Sequence, residues 1–111
     1  MAASVNTSGS QTATVGTEHQ LASIATAGTF QAVVDLTNMA SGATPDVVEI
    51  RVYGKCRSTD AEKLEEVYSF IGLQTKPLWR APPVWSPHHY RVTLKQTQGT
   101  GRAFPWAIYQ P

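Results

Sequence analysis

The chain is short of charged residues, of cysteine and of long apolar runs. Charged residues make up 15% of its 111 residues, against about 25% in an average domain. Thr, Ser, Gln and Ala take their place, so we expect a surface suited to packing against other proteins. No apolar run approaches the ~18 residues of a membrane helix. The length predicts one domain, which we expect not to span a membrane.

Cys56 is the only cysteine, which excludes an intrachain disulfide and a thiol pair that could hold a metal. It follows an alternating apolar pattern, and we predict a small buried side chain on the apolar face of a strand. The first six residues have neither the basic nor the apolar region of a signal peptide. We therefore expect synthesis and retention in a reducing cytosol, or exit only within a larger assembly.

Positive charge is concentrated in the last third of the chain. Residues 76–111 contain five basic residues and no acid, whereas residues 45–75 contain six acids and four bases. A basic segment can attract an acidic surface or a nucleic acid. Folding can also bring the acids of the middle segment beside these bases, which would cancel the field. The sequence leaves both outcomes open.

Hydrophobic alternation predicts several half-buried strands and very little helix. The candidate strands are 18–25, 30–37, 46–57, 88–96 and 102–109. In the third, Val48, Ile50 and Val52 share one face. Pro105 lies within the last, and because proline lacks an N–H group we expect that strand to be an edge or to contain a bulge.

Three segments are less regular. Residues 1–16 are small and polar with no apolar period, which predicts a flexible N-terminal arm ahead of a domain over 17–111. Residues 58–71 allow a helical turn at the capping-box pattern Thr59–Glu62, followed by a strand in the second half. Residues 72–87 form a proline-rich connection that contains Trp79 and Trp85. The whole pattern predicts an all-β fold, a single antiparallel β-sandwich or jelly-roll-like domain.

No group of residues points to catalysis, a cofactor or a metal. The acids lie mostly on outward strand positions, and His88 and His89 are adjacent, so on a strand they would point to opposite faces. Gly99–Gly101 has no following helix to hold a phosphate, and we interpret it as a hairpin turn. We therefore predict a binding protein and no enzyme.

Aromatic and basic residues alternate in the C-terminal third, which suggests two kinds of ligand. Stacking rings beside basic side chains can hold single-stranded nucleic acid, but five bases are few for that purpose and Trp106 lies on an apolar strand face. Exposed tryptophans can also stack on sugars. Nucleic acid is therefore disfavoured, and a carbohydrate-binding module stays as an alternative.

The polar arm, the scarcity of cysteine and the Thr/Gln/Ala-rich surface resemble small structural proteins of tailed bacteriophages. The stretch Leu94–Trp106 is similar to C-terminal segments of small virion proteins, and residues 26–53 share that character. The resemblance implies a decoration (cement) protein that binds the major capsid protein on the outside of a phage head as a dimer or trimer. It would be assembled in the host cytoplasm. A tail or baseplate component is the alternative.

Under this hypothesis five residues would contact the partner. The arm would become ordered on the shell, and the proline-rich connection would supply aromatic anchors, because tryptophan concentrates binding energy. The predicted contact residues are Val5, Thr12, Trp79, Arg80 and Trp85.

Overall fold

The computed structural model describes residues 4–110, which form nine β-strands and, within that range, no helix. The strands are β1 Ser4–Thr12, β2 Glu18–Ile24, β3 Gly28–Asp35, β4 Val47–Gly54, β5 Lys63–Ile71, β6 Leu78–Arg80, β7 Val84–Ser86, β8 Tyr90–Gln98 and β9 Ala103–Gln110. Over this range, no helix is long and apolar enough to cross a membrane.

The strands form two antiparallel sheets that pack face to face, which confirms the predicted all-β sandwich. Sheet A has the order β1-β9-β3-β6, and β7 also pairs with β3. Sheet B has the order β2-β8-β4-β5. Every strand pair is antiparallel. Except for the consecutive strands β4 and β5, neighbours in a sheet are distant in sequence, so the fold depends on long-range pairing.

The core forms where the inner faces of the two sheets meet. The predicted inner face of β4 is confirmed, because Val48, Ile50 and Val52 are all buried. The corresponding positions of β3 and β8 are also buried: Phe30, Ala32, Val34, Tyr90, Val92 and Leu94. Full burial of a side chain of this size contributes roughly 1.5–3 kcal/mol, so these three central strands hold most of the apolar stabilisation.

The N-terminal segment differs from the predicted flexible arm. Residues 4–12 form β1, which pairs with β9 from Ser4 opposite Gln110 to Thr12 opposite Ala103. Almost none of its side chains is buried, and the strand is held mainly by backbone hydrogen bonds. A prediction based on apolar side chains could not detect such a strand. Residues 1–3 of the predicted arm lie outside the described residues.

Strand β9 is not the edge that Pro105 was expected to mark, and the irregularity described in its pairing with β1 is an extra residue in β1, between Val5 and Thr7, so it is not a bulge at the proline. Strand β9 lies between β1 and β3. Its pairing with β3 runs from Tyr109 to Trp106 and includes neither Pro105 nor the residues before it. No residue of β3 is described as the partner of Pro105. The missing N–H of the proline therefore costs no hydrogen bond between β3 and β9, and the proline is tolerated inside the sheet.

Two expectations around β5 are also corrected. Strand β4 ends at Gly54, after an irregularity in its register between Val52 and Tyr53, so Cys56 lies in a bend and is exposed. The helical turn does not form, because residues 57–60 make a tight turn instead. In it the Asp60 N–H donates to the Arg57 carbonyl at 3.0 Å and the Asp60 carboxylate accepts from the Arg57 N–H at 3.1 Å.

The proline-rich connection is attached to the sandwich. Its two short strands, β6 and β7, both pair with β3. Between them the Ala81 N–H donates to the Ala32 carbonyl at 2.9 Å, and Gln31 Nε2 donates to the Ala81 carbonyl at 2.8 Å. Backbone hydrogen bonds therefore fix the orientation of Trp79, Arg80 and Trp85.

A buried carboxylate fastens the loops at one end of the sandwich. Asp46 is 2% exposed and accepts hydrogen bonds from the N–H groups of Ala40 and Thr100, at 2.9 and 3.0 Å, and from Arg102 Nε at 2.8 Å. Burial alone would raise the pKa of Asp46, but these donors outweigh it and lower the pKa below its ordinary value.

We expect Asp46→Asn to lower the free energy of unfolding by roughly 2–3 kcal/mol, because the neutral amide loses charge-assisted hydrogen bonds. Urea denaturation at pH 7 measures the change. Asp60→Asn is the control, since Asp60 bonds only within the exposed turn at Arg57, and we expect a loss below about 0.5 kcal/mol there. Equal losses in both variants would contradict the role given to Asp46.

Candidate binding surface

The strand register determines which side chains share the outer face of sheet A. Directly paired residues of antiparallel strands point to the same side, and the inner side is fixed by the buried Phe30, Ala32 and Val34. The outer face therefore carries alternate residues of all five strands: Val5, Ser8, Ser10, Thr12, Thr29, Gln31, Val33, Asp35, Leu78, Arg80, Trp85, Ala103, Pro105, Ala107 and Tyr109.

About half of the residues on this face are apolar, and several of the large ones are uncovered. Trp85 is 65% exposed, and Val5 and Leu78 are each 54% exposed. Only two of its residues within the described strands carry charge, Asp35 and Arg80. The Asp35 carboxylate already accepts a hydrogen bond from the Thr37 N–H at 2.9 Å. Few groups on this face are strongly hydrated, which lowers the free-energy cost of burying it against a partner.

A shallow groove of about 230 Å³ crosses the centre of the face. It is lined by Val33, Asp35, Leu78, Pro105, Trp106, Ala107 and Tyr109. Its floor contains small side chains, because Val33 pairs with Ala107 where β3 meets β9. Larger side chains from β6 and from the end of β9 form the rims. The groove can accept an apolar side chain or a short extended segment.

Four of the five predicted contact residues lie on this one face. Arg80 is paired with Val33 at the side of the groove, and Trp85 is paired with Thr29 further along β3. On the same face but at the other edge of the sheet, in β1, Val5 pairs with Tyr109 and Thr12 with Ala103. These four residues therefore surround the groove, although they come from segments far apart in sequence.

Trp79 is the exception, because it is on the inner face of the sheet. It pairs with Val34, which is buried, and its ring contacts two aromatic residues of β5 in sheet B. The ring centroids of Tyr68 and Phe70 lie 4.8 and 5.4 Å from that of Trp79. The structure thus places Trp79 as a contact between the sheets at the side of the core.

The outer face of sheet B is charged along β2, β8 and β4, where several charges are paired, and has exposed apolar side chains only along its edge strand β5. Glu18 is at the centre of a network in which its carboxylate accepts from Tyr53 Oη and Thr93 Oγ1, both at 2.6 Å, and from Arg51 Nη1 at 3.3 Å. Arg51 also donates to Glu49 at 2.8 Å. Burial alone would raise the pKa of Glu18, but these partners outweigh it and lower the pKa.

Two of the five basic residues near the C-terminus form salt bridges with acids of other segments, and a third lies close to acids in the strand register. Arg91 donates to Glu62 at 2.7 Å, and Arg102 is bonded to Asp46. Lys95 lies between two acids in the register, opposite Glu18 on β2 and opposite Glu49 on β4. The fold therefore cancels much of the positive field seen in the sequence, which weakens the case for a nucleic-acid ligand.

The polar groups do not converge with the groove. Among residues 4–110, no three His, Cys, Asp or Glu side chains are grouped closely enough to hold a metal ion. His89 is bonded to Glu62 at 3.1 Å on the charged side of the molecule. What this arrangement can do chemically is to bury an apolar partner against one face of the sandwich.

Sequence reasoning missed the residues that line the groove. Leu78 comes from one segment of the sequence and Pro105 and Ala107 from another, and only the pairing of β9 with β3 and of β3 with β6 brings them together. The signal that could have indicated them is the apolar character of outward positions on β9, where polar residues are usual.

Comparison with known proteins identifies no relative of this chain: no family model, no curated protein and no solved structure matches it.

The two tryptophans of the connection should respond differently to truncation. We expect Trp79→Ala to cost roughly 2–4 kcal/mol in the free energy of unfolding, because it removes a partly buried ring between the sheets. Trp85→Ala should change it by less than about 0.5 kcal/mol, since that ring is exposed. Urea denaturation followed by far-UV circular dichroism measures both, and similar losses would contradict the different placement of the two rings.

We expect stability to fall on acidification. The folded pKa of Glu18 lies below its ordinary value of 4.5, so its contribution is complete above about pH 4.5 and is lost as pH falls through the folded pKa. Urea midpoints between pH 7 and pH 3 measure the loss, and Glu18→Gln should make the decline shallower. The control is Glu66→Gln on the exposed strand β5, which should keep the steep decline. An unchanged decline in Glu18→Gln would refute the assignment.

Proposed function

We propose that the chain is a non-enzymatic structural protein of a virion, and specifically a decoration protein that binds the outside of a tailed-phage head. Its partner in this proposal is the major capsid protein. The contact surface is the outer face of sheet A, with the groove at its centre. The resemblance of Leu94–Trp106 to small virion proteins supports the kind of particle, and the structure supports the kind of surface.

The observation that carries the proposal is the contrast between the outer face of sheet A and the charged outer surface that β2, β8 and β4 form on sheet B. On sheet B the charges are satisfied by one another, as Glu18 and Arg51 illustrate. On sheet A, Trp85, Leu78 and Val5 stand exposed around an apolar groove. Exposed apolar patches with a polar border are typical of protein interaction sites. Stabilising a shell requires such a contact and no chemistry.

Many weak contacts would suffice for this role. A shell presents the same subunit many times, and an oligomer that engages several subunits gains affinity through effective concentration. Within each contact, Trp85 would supply much of the binding energy, because a desolvated tryptophan with an arginine nearby is a typical hot spot. Arg80 lies on the same face, opposite Val33, four positions along β3 from the residue opposite Trp85, and would fix orientation.

The N-terminal segment contributes in a different way from the predicted arm. Because residues 4–12 are paired with β9, they extend the contact face and place Val5 and Thr12 on it. Deleting residues 1–16 would also uncover the edge of β9 and remove Gly9, over which the Trp106 ring lies. Point substitutions on the outer face therefore test the proposal more cleanly than truncation.

Two other functions fit parts of the same surface. A tail or baseplate component would use the same fold in few copies. A carbohydrate-binding module is favoured by one specific observation, the 65% exposed ring of Trp85 on an open face. In that case soluble glycans would quench tryptophan fluorescence, and Trp85→Ala would abolish the quenching.

Quantitative mass spectrometry of purified virions from the source tests the location. We expect a copy number comparable with that of the major shell protein, because a decoration protein occupies repeated sites. A few copies per particle would assign the chain to the tail. Absence from the particle would refute the virion role and leave the sugar-binding alternative, with nucleic acid as the less favoured one.

Binding to shells that lack the chain tests the surface. We expect Leu78→Glu and Trp85→Ala each to weaken binding at least about tenfold, since each removes an apolar contact at or near the groove. Val15→Glu is the matched control, because Val15 is 41% exposed in a turn outside the strands of sheet A and should bind like the unmodified chain. Equal binding by all variants would exclude the outer face of sheet A as the contact.

A further inference from the structure

We propose that two copies of the chain associate through the free edge of β5, so that sheet B continues from one copy into the other across a two-fold axis. Strand β5 pairs with β4 along its whole length, from Lys63 opposite Gly54 to Ile71 opposite Val47. It ends the order of sheet B, and no strand among residues 4–110 pairs with its other side. A row of backbone N–H and C=O groups therefore faces outwards.

The two halves of β5 differ in how they are protected. The first half contains Lys63, Glu65 and Glu66 and the irregularity in register near Val52 and Tyr53. Charges and bulges of this kind keep edge strands from pairing with other chains. The second half, residues 67–71, contains no charge. Its aliphatic side chains are open to solvent, with Val67 46% and Ile71 65% exposed.

Symmetry restricts how two such edges can pair. In an antiparallel pair, directly opposite residues lie on the same face. Two identical strands related by a two-fold axis must therefore place some residue opposite its own copy. With Ser69 at the axis, Val67 lies opposite Ile71 of the second copy on the outer face. On the inner face, Tyr68 lies opposite Phe70 of the second copy.

This register is the longest one that excludes charge. With Tyr68 at the axis, Glu66 would lie opposite the second copy's Phe70. With Val67 at the axis, the charged and irregular first half of β5 would enter the pairing. With Phe70 at the axis, only residues 69–71 overlap. The register centred on Ser69 pairs five residues and leaves each charged half beyond the end of the other copy's strand. This self-complementarity is the reason for choosing a second copy as the occupant.

The edge is also held in place before any partner arrives. Tyr68 and Phe70 pack against Trp79, which ties β5 to sheet A. An ordered edge loses little conformational freedom on pairing, and aromatic and aliphatic pairs across the new strand boundary add to the backbone hydrogen bonds. The inference is independent of what the outer face of sheet A binds, because it concerns the chain alone.

Disulfide trapping tests the register. In the full chain with Cys56→Ser, Ser69→Cys should give a covalent dimer under mild oxidation, because opposite Cα atoms lie about 4.5–5.5 Å apart. Val67→Cys alone is the matched control. In this register its two copies are four residues apart along the strands, roughly 13 Å, and should not crosslink. Combining Val67→Cys with Ile71→Cys should restore the dimer.

Sedimentation of the uncrosslinked chain tests the interface itself. We expect a concentration-dependent dimer whose association weakens at least about tenfold in Ile71→Lys, which places a charge in the apolar pair. Val15→Lys, at an exposed position in a turn outside the strands of both sheets, should associate like the unmodified chain. A chain that stays monomeric, an Ile71→Lys variant that dimerises normally, or Val67→Cys crosslinking as fast as Ser69→Cys would each overturn the proposal.

Discussion

The stacked contact between Phe30 and Tyr90 joins the two sheets, and the remaining structure depends on it. Their ring centroids are 5.2 Å apart, and both side chains are fully buried. Phe30 belongs to β3, the strand that pairs with β9, β6 and β7. Because side chains alternate along a strand, fixing these two rings inward also fixes which residues of every paired strand face outwards.

The outer face of sheet A and the part of sheet B formed by β2, β8 and β4 have opposite character, and this difference underlies the proposed function. Sheet B satisfies its charges within the molecule through Glu18, Arg51 and their neighbours. Sheet A leaves its apolar side chains uncovered around a groove. A sandwich needs only its inner faces for stability, so an apolar outer face has no purpose in the isolated chain. This is the physical basis of the proposal that the chain is part of an assembly.

The free edges of the sandwich provide a second means of assembly. Strand β1 and strand β5 are both terminal in their sheets and nine residues long. The exposed side chains of β1 are mostly small and polar, whereas the second half of β5 is aliphatic and aromatic. A protein with one apolar face and one apolar edge can contact a shell and its own copy in different directions. Neither contact then blocks the other.

The sequence singled out Val5, Thr12, Arg80 and Trp85 but not the groove around which they lie. By itself it determined the all-β class and the inner faces of β3, β4 and β8. Alternation suffices there because burial acts on each side chain separately. Only the tertiary structure decided that residues 4–12 form a strand, that Trp79 lies inside while Trp85 lies outside, and that Cys56 is exposed. Those outcomes depend on backbone pairing between distant segments, and the side chains of one segment do not indicate which other segment pairs with it.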